Sequence, residues 1–279
     1  MKKISRRSFL AAAGLTVAAL ALTACGGSAS TASSAASSVA ASSEAASTSA
    51  AAAELTTVEA GKLTMATNAT FPPYEMTTDA GTIEGIDVDT AQAIAEKLGL
   101  ELQIDDMDFD AALLSVQQGK ADIAMAGITV TDERMAVMSF SDSYATGIQS
   151  VIVPEGSDIA SVDDLAGKKI GTQRGTTGYI YCSDDFGDDA VVAYDDGLTA
   201  VQALNNGQVD AVVIDNAPAK EFVAANPGLV ILDTSYAEED YAIGLAKGSA
   251  LEDAVNATLE ELKADGTLQS IVDKYITAE

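Results

Sequence analysis

The chain has 279 residues, 48% hydrophobic and 20% charged, enough for a buried core divided into two lobes of about 100 residues each with further segments. Forty-two Asp and Glu stand against fifteen Lys and Arg, and there is no His, for a formal net charge of −27. Clustered bases that hold nucleic-acid phosphates are excluded by that balance, and the lack of histidine removes Ser-His and Cys-His nucleophilic pairs and the commonest zinc ligand.

At the N-terminus, Lys2, Lys3, Arg6 and Arg7 precede an uncharged apolar run from Phe9 to Ala24. A basic stretch followed by a run too short for comfortable spanning reads as an export signal over residues 1–24. It ends in Leu22-Thr23-Ala24-Cys25, which resembles the bacterial lipobox and implies a diacylglycerol-modified Cys25. Ser5-Arg6-Arg7-Ser8-Phe9-Leu10 also resembles a twin-arginine export motif, leaving two export routes open. Residues 25–54 are nearly all Ser, Ala and Thr; without large side chains to bury, they read as a disordered tether with a reach on the order of 30 Å. Removing the leader strips four bases and no acid, so the chain left behind is more acidic still, which suits a solubilising surface outside the cell. After Cys25 only Cys182 remains, so no internal disulfide is expected, and Cys182 reads as a packed small side chain.

From Leu55 onward short β-like runs alternate with helical periodicity. Strands are expected at 62–68, 101–105 and 122–126, with helices at 87–98 and 109–118; Val88, Ala91, Ile94 and Leu98 share one helix face. A second unit places strands at 150–153, 169–172, 191–194 and 210–214 and helices at 178–183, 197–206 and 218–226. One more strand at 241–246 and two helices, 251–265 and 268–276, close the chain. This order predicts an α/β protein with mainly parallel sheets. No Ser- or Gly-rich linker separates the two units, so extended strands are expected to cross between them as a hinge able to close over a ligand.

In such sheets ligands bind beyond the carboxyl ends of strands, and Ala126-Gly127-Ile128-Thr129-Val130-Thr131-Asp132-Glu133-Arg134 falls at one. Arg134 can grip a carboxylate through two parallel N–H bonds, and Thr129 and the Gly127 carbonyl can hold an ammonium. The pattern alone equally allows an exposed pair between Arg134 and Asp132 or Glu133. Asp215 ends the apolar run Ala211-Val212-Val213-Ile214 and reads either as a carboxylate offered at a strand end or as a helix N-cap.

The stretch 125–144, MAGITVTDERMAVMSFSDSY, resembles the bacterial extracellular solute-binding proteins for polar amino acids, family 3, the glutamine-binding branch especially. Further matches run in order along the chain: Asn68-Ala69-Thr70-Phe71-Pro72-Pro73-Tyr74-Glu75, Gly85-Ile86-Asp87-Val88-Asp89, Met107-Asp108-Phe109, 161–168, Gly175-Thr176-Thr177-Gly178 and Asp265-Gly266-Thr267. The resemblance implies a two-lobed periplasmic-binding-protein-like fold of type II with a two-strand hinge: lobe 1 at 55–143 and 242–279, lobe 2 at 149–236, crossings at 144–148 and 237–241. It implies that an amino acid is sandwiched between the lobes, its carboxylate on Arg134, the Thr129 amide and the amides around Thr176 and Thr177. Its ammonium would meet Asp215, the Gly127 carbonyl and the Thr129 hydroxyl. Phe71 and Phe109 match aromatic positions around the ligand's side chain; Asn68, Gln173 and Ile214 are pocket positions. Asn68 stands where relatives for cationic or glutamine side chains carry Asp, so a neutral, polar amino acid is expected. Whether Glu75 and Arg174 reach the pocket is open at this point. The implied partners are the small amino acid, an ABC permease with its ATPase and, through the Cys25 lipid, the extracytoplasmic face of the cell membrane. A monomer without cofactor, metal or catalytic residues is expected; a sensing lipoprotein and a dehydratase of the same fold are the alternatives.

Overall fold

The computed structural model describes residues 55–276. The expected leader 1–24, Cys25 and the whole of the tether to residue 54 lie outside the described residues.

Strands β1 (Lys62–Thr67), β2 (Thr70–Phe71), β3 (Glu75–Thr77) and β4 (Ile83–Glu84) lead into helix α1 (Ile86–Leu98). Then come β5 (Glu101–Asp106), α2 (Phe109–Gln117), β6 (Ile123–Ala124), α3 (Asp132–Val137) and β7 (Met138–Phe140). The long strand β8 (Ala145–Pro154) follows, with β9 (Ile170–Gln173), α4 (Thr177–Phe186), β10 (Val191–Tyr194), α5 (Gly197–Asn205), β11 (Ala211–Asp215), α6 (Asn216–Ala225) and β12 (Leu229–Ile231). The chain returns through β13 (Ala237–Tyr241) and β14 (Gly244–Ala246) to α7 (Glu252–Ala264) and α8 (Thr267–Tyr275).

Two main sheets organise these elements. One has the order β5-β1-β6-β14-β7; the other has β10-β9-β11-β8-β12 with β13 paired to β8. The expected parallel order holds for β1 with β5 and β6, and for β9 with β10 and β11. Strands beside the crossings run antiparallel: β8 against β11, β12 and β13, and β14 against β6 and β7. Both sheets are therefore mixed, because a chain that crosses out and back brings its returning strands in reversed. A small sheet β2-β3-β4, with no period-2 pattern long enough to announce it, folds over the end of β1. The strand expected at 241–246 is interrupted at Ala242 and Ile243: β13 pairs with β8 of the second sheet, and β14 joins the first.

Apolar periodicity becomes core in each half. Leu63, Met65, Ile94 and Ile123 pack with Leu245, Val255, Leu259 and Leu262, so the C-terminal helices complete the first lobe. Val201, Leu204, Val212 and Phe222 fill one side of the second sheet, and Val151, Val153, Ile170 and Val213 the other. Helix α1 has matched ends: Asp87 and Asp89 in its first turn, Lys97 in its last, and a left-handed Gly99 closing its backbone. Cys182 is fully buried in the second lobe, and burial pushes its thiol up to about 12. Among the described residues no helix is long and apolar enough to cross a membrane, and no cluster of three His, Cys, Asp or Glu is placed to hold a metal ion.

Candidate ligand-binding site

The carboxyl ends of β1, β6, β9 and β11 converge on one enclosed cavity. Its lining includes Asn68, Phe71, Phe109, Gly127, Thr129, Arg134, Gln173, Thr176, Thr177, Ile214 and Asp215, so every sequence-predicted pocket position meets there. Its free volume is only about 30 Å³, room for about two waters. Admitting a larger guest requires the lobes to part or their side chains to withdraw.

Arg134 enters from α3, whose first turn is capped by the Thr131 hydroxyl accepting from the Arg134 amide at 3.2 Å. The guanidinium is 8% exposed. It donates to the Thr129 carbonyl at 2.8 Å and, across the lobes, to the Gly175 carbonyl at 3.1 Å, and it lies 5.3 Å from the centre of the Phe109 ring. Two of its five donors are thus engaged, and three remain. It makes no ion pair with Asp132 or Glu133, so of the two readings the pattern allowed, the exposed pair is absent. Burial lowers its pKa, while the negative charges of Glu239 and Asp110 counter that effect.

Facing it from β9 and α4 are Thr176 and Thr177. The Thr176 hydroxyl accepts from the Tyr179 amide at 3.3 Å, capping α4. The Thr177 and Gly178 amides that precede it have no carbonyl within the helix to reach, whereas the Ile180 amide closes the first turn on the Thr176 carbonyl at 3.1 Å; this leaves donors and the positive dipole end for an anion.

Asp215 stands at the end of β11, 2% exposed. It occupies the N-cap position of α6 without making the cap bond. Instead it accepts from the Tyr241 hydroxyl and from the Ile148 amide at 3.4 Å. Burial raises its pKa to about 6, with the Tyr241 and Ile148 bonds acting in the opposite sense.

Asn68 and Gln173 reach each other. The Gln173 amide donates to Asn68 Oδ1 at 2.8 Å across the lobes, and Asn68 Nδ2 donates to the Met107 carbonyl. Phe71 packs against both lobes' cores. Arg174 points elsewhere: it is exposed, 3.7 Å from Asp195, and outside the cavity.

Glu75 does line the cavity, fully buried with both oxygens unpartnered. Burial, reinforced by the neighbouring Asp87 charge, holds its carboxyl well above the ordinary range. Asp87 accepts from the Tyr144 hydroxyl at 2.7 Å and from the Gly127 amide at 3.0 Å, fixing the loop at Gly127, which lines the cavity.

Gln149, Tyr241 and Glu239 were not anticipated. Gln149 and Tyr241 line the cavity; Glu239 lies behind it, accepting from the Thr129 hydroxyl and from the Gln149 amide. Their signal was alternation: Gly147 and Gln149 are buried while Thr146 and Ile148 are exposed, and in Ala237–Tyr241 only Glu239 and Tyr241 are buried. A run of three acids conceals that period, because all three look solvated.

Comparison with known proteins decides what this arrangement belongs to. Residues 63–278 match the bacterial extracellular solute-binding proteins, family 3. The chain belongs to that family. Among other relatives, the family 3 chain is 32% identical over 226 residues to the L-cystine-binding protein TcyJ of Escherichia coli (strain K12), covering 79% of this chain and 85% of that one. It is 31% identical to the arginine-binding extracellular protein ArtP of Bacillus subtilis (strain 168), covering 78% and 87%. An ancestral arginine-binding protein bound to glutamine superposes with a TM-score of 0.75 at 40% identity, covering 78% of this chain and 99% of that one. These neighbours share the two-lobed α/β architecture. The glutamine-binding branch is one of several to which this family 3 protein is related, alongside relatives named for cystine, histidine and arginine.

Proposed function

We propose that the protein is an extracytoplasmic receptor that captures a free amino acid between its lobes and delivers it to an ABC permease and its ATPase, held at the membrane by lipid on Cys25. The observation that carries this reading is the pairing of one buried cation and one buried anion, Arg134 and Asp215, on the wall of a single cavity. A zwitterion satisfies both, one charge at each end. The three unused donors of Arg134, with the Thr129, Thr176 and Thr177 amides, receive the carboxylate; Asp215, the Gly127 carbonyl and the Thr129 hydroxyl receive the ammonium. Lobe 1 (55–143 and 242–279) and lobe 2 (149–236) rotate about 144–148 and 237–241, and ligand contacts to both favour closure. Membership in a family of binding proteins supports a role without catalysis, in which the monomer needs no cofactor.

The rest of the lining argues for a neutral, polar side chain. Asn68 and Gln173 offer amides, and burial, reinforced by the Asp87 charge, disfavours the charged form of Glu75. A ligand amide can exchange with the Asn68–Gln173 bond, donor for donor. A cationic side chain is the second reading, favoured by Glu75 facing the cavity with two unpartnered oxygens and by relatives named for arginine. Calorimetric titration of the purified protein with each of the twenty amino acids tests both. Heat with glutamine or another neutral polar amino acid supports the first reading, tightest binding of arginine supports the second, and no heat with any of them removes the function.

A further inference from the structure

The ammonium end of the site is built from groups able to donate as well as accept. A hydroxyl and an amide, Thr129 and Gln149, both line the cavity. Left to itself, either can turn a hydrogen inward and repel an ammonium. Glu239 removes that freedom. It lies on the crossing strand β13, 4% exposed and outside the cavity lining. Its Oε2 accepts from Thr129 Oγ1 at 3.1 Å and from Gln149 Nε2 at 3.0 Å. With its hydrogen committed to Glu239, Thr129 Oγ1 has only lone pairs left to offer, one of them 3.5 Å from the Thr177 hydroxyl. The Gln149 amide is fixed too, because the reverse orientation sets its oxygen against a carboxylate. Its Oε1 has no hydrogen-bond partner and is buried against Gly178 in the first turn of α4, so a guest reaches it only when the cavity opens.

Resting on the reading of the cavity as an amino-acid site, we infer that Glu239 is a positioning residue that sets the polarity of the ammonium subsite, and that Gln149 Oε1 is a further ammonium acceptor. Glu239 takes the hydrogens of two pocket groups, so that Thr129, Gln149, Gly127 and Asp215 all present acceptors. Glu239 is also a negative neighbour of Arg134, and its charge attracts an ammonium directly, so neutralising it acts on both ends of the guest even without any effect on orientation. A fall in affinity that disappears once Thr129 and Gln149 can no longer be polarised is therefore the signature of the polarity role.

The test is calorimetry on the full chain with two probe pairs: L-glutamine and glutaric acid monoamide, L-arginine and 5-guanidinopentanoate, the second member of each lacking only the α-ammonium. Glu239→Gln, whose amide can donate to both pocket groups, weakens the amino acid that the wild type binds by at least tenfold. In the background Thr129→Val with Gln149→Met, where neither group can be polarised, the same substitution leaves affinity unchanged or slightly raised. Thr129→Ser, which keeps the hydroxyl, restores the dependence on Glu239. Should Glu239→Gln fail to fold, Gln149→Leu serves alone: it weakens the amino acid at least threefold and leaves the ammonium-free analogue untouched. Equal losses in both backgrounds, or equal losses for both members of a pair, overturn the inference and leave the receptor reading standing. A wild type that binds none of the twenty amino acids overturns both.

Discussion

Arg134 and Asp215 carry opposite charges on the wall of one small cavity, and each is held by hydrogen bonds of its own. Arg134 is fixed through its fork: two donors already bind the carbonyls of Thr129 and Gly175. A lysine keeps the charge and loses the planar geometry. Arg134→Lys is expected to weaken the amino acid at least tenfold, and Arg134→Ala to abolish measurable binding, by about 2–5 kcal/mol or more; undiminished heat in the alanine variant places the carboxylate elsewhere. Asp215 is held by the Tyr241 hydroxyl and the Ile148 amide, and desolvation raises its pKa to about 6. Only its ionised form attracts an ammonium, so affinity should hold from pH 7.5 to about 6 and fall up to tenfold per unit below. Folding moves the other way. Asp215 and Asp87, both raised to about 6 from 3.8, bind protons in the folded chain before the unfolded one, so acidification through that window favours the fold through these two groups. The expected outcome is a calorimetric affinity that weakens as pH falls from 6 to 5, a slope that Asp215→Asn removes. Affinity independent of pH in the wild type would show that Asp215 does not hold the ammonium.

At the scale of elements, β8 matters most because it serves the second sheet and the cavity together. Gly147 on this strand has ordinary backbone torsions, yet a Cβ there would sit 2.5 Å from both Asp215 Oδ2 and the Tyr241 ring. Gly147→Ala is accordingly expected to leave the helical circular dichroism signal intact while displacing Asp215, with affinity down at least tenfold; an unchanged affinity would mean that the carboxylate can move without consequence. The same strand marks the limit of what the residue pattern reveals. Its run 150–153 is visible in sequence, as are β1, α1, α2 and β11, since each buries large apolar side chains; β9 and β10 are short runs recognised by their place in the βαβ alternation. The first five residues of β8 are not visible, because their inward positions hold Gly and Gln, and hydrophobicity carries no mark of burial by hydrogen bonding. Glu239 on β13 escapes for the same reason. Arg134 and Asp215, by contrast, stand out at the ends of strands, where loop geometry makes a charge useful. The Asn68–Gln173 bond was illegible altogether: it links residues 105 positions apart and depends on how closely the lobes approach.

That approach is a property of the whole molecule. Arg134 to Gly175 and Gln173 to Asn68 are direct bonds between lobes, and the cavity they border is small, about 30 Å³. A guest bonded to both lobes adds to these links or takes their place, so its contribution appears as cohesion of the whole fold. A ligand at one hundred times its Kd, binding only the folded chain, adds about 2.7 kcal/mol to stability. For a domain of this size each kcal/mol shifts Tm by about 2–4 °C, giving an expected rise of about 5–10 °C. The rise should grow with ligand concentration at pH 7.5 and shrink at pH 5, where Asp215 is protonated in the free protein. Differential scanning calorimetry with the amino acid that binds tightest checks both features. A shift that is the same at the two pH values would mean that the guest is held by its carboxylate alone, because its amino end would then contribute nothing to keeping the lobes together.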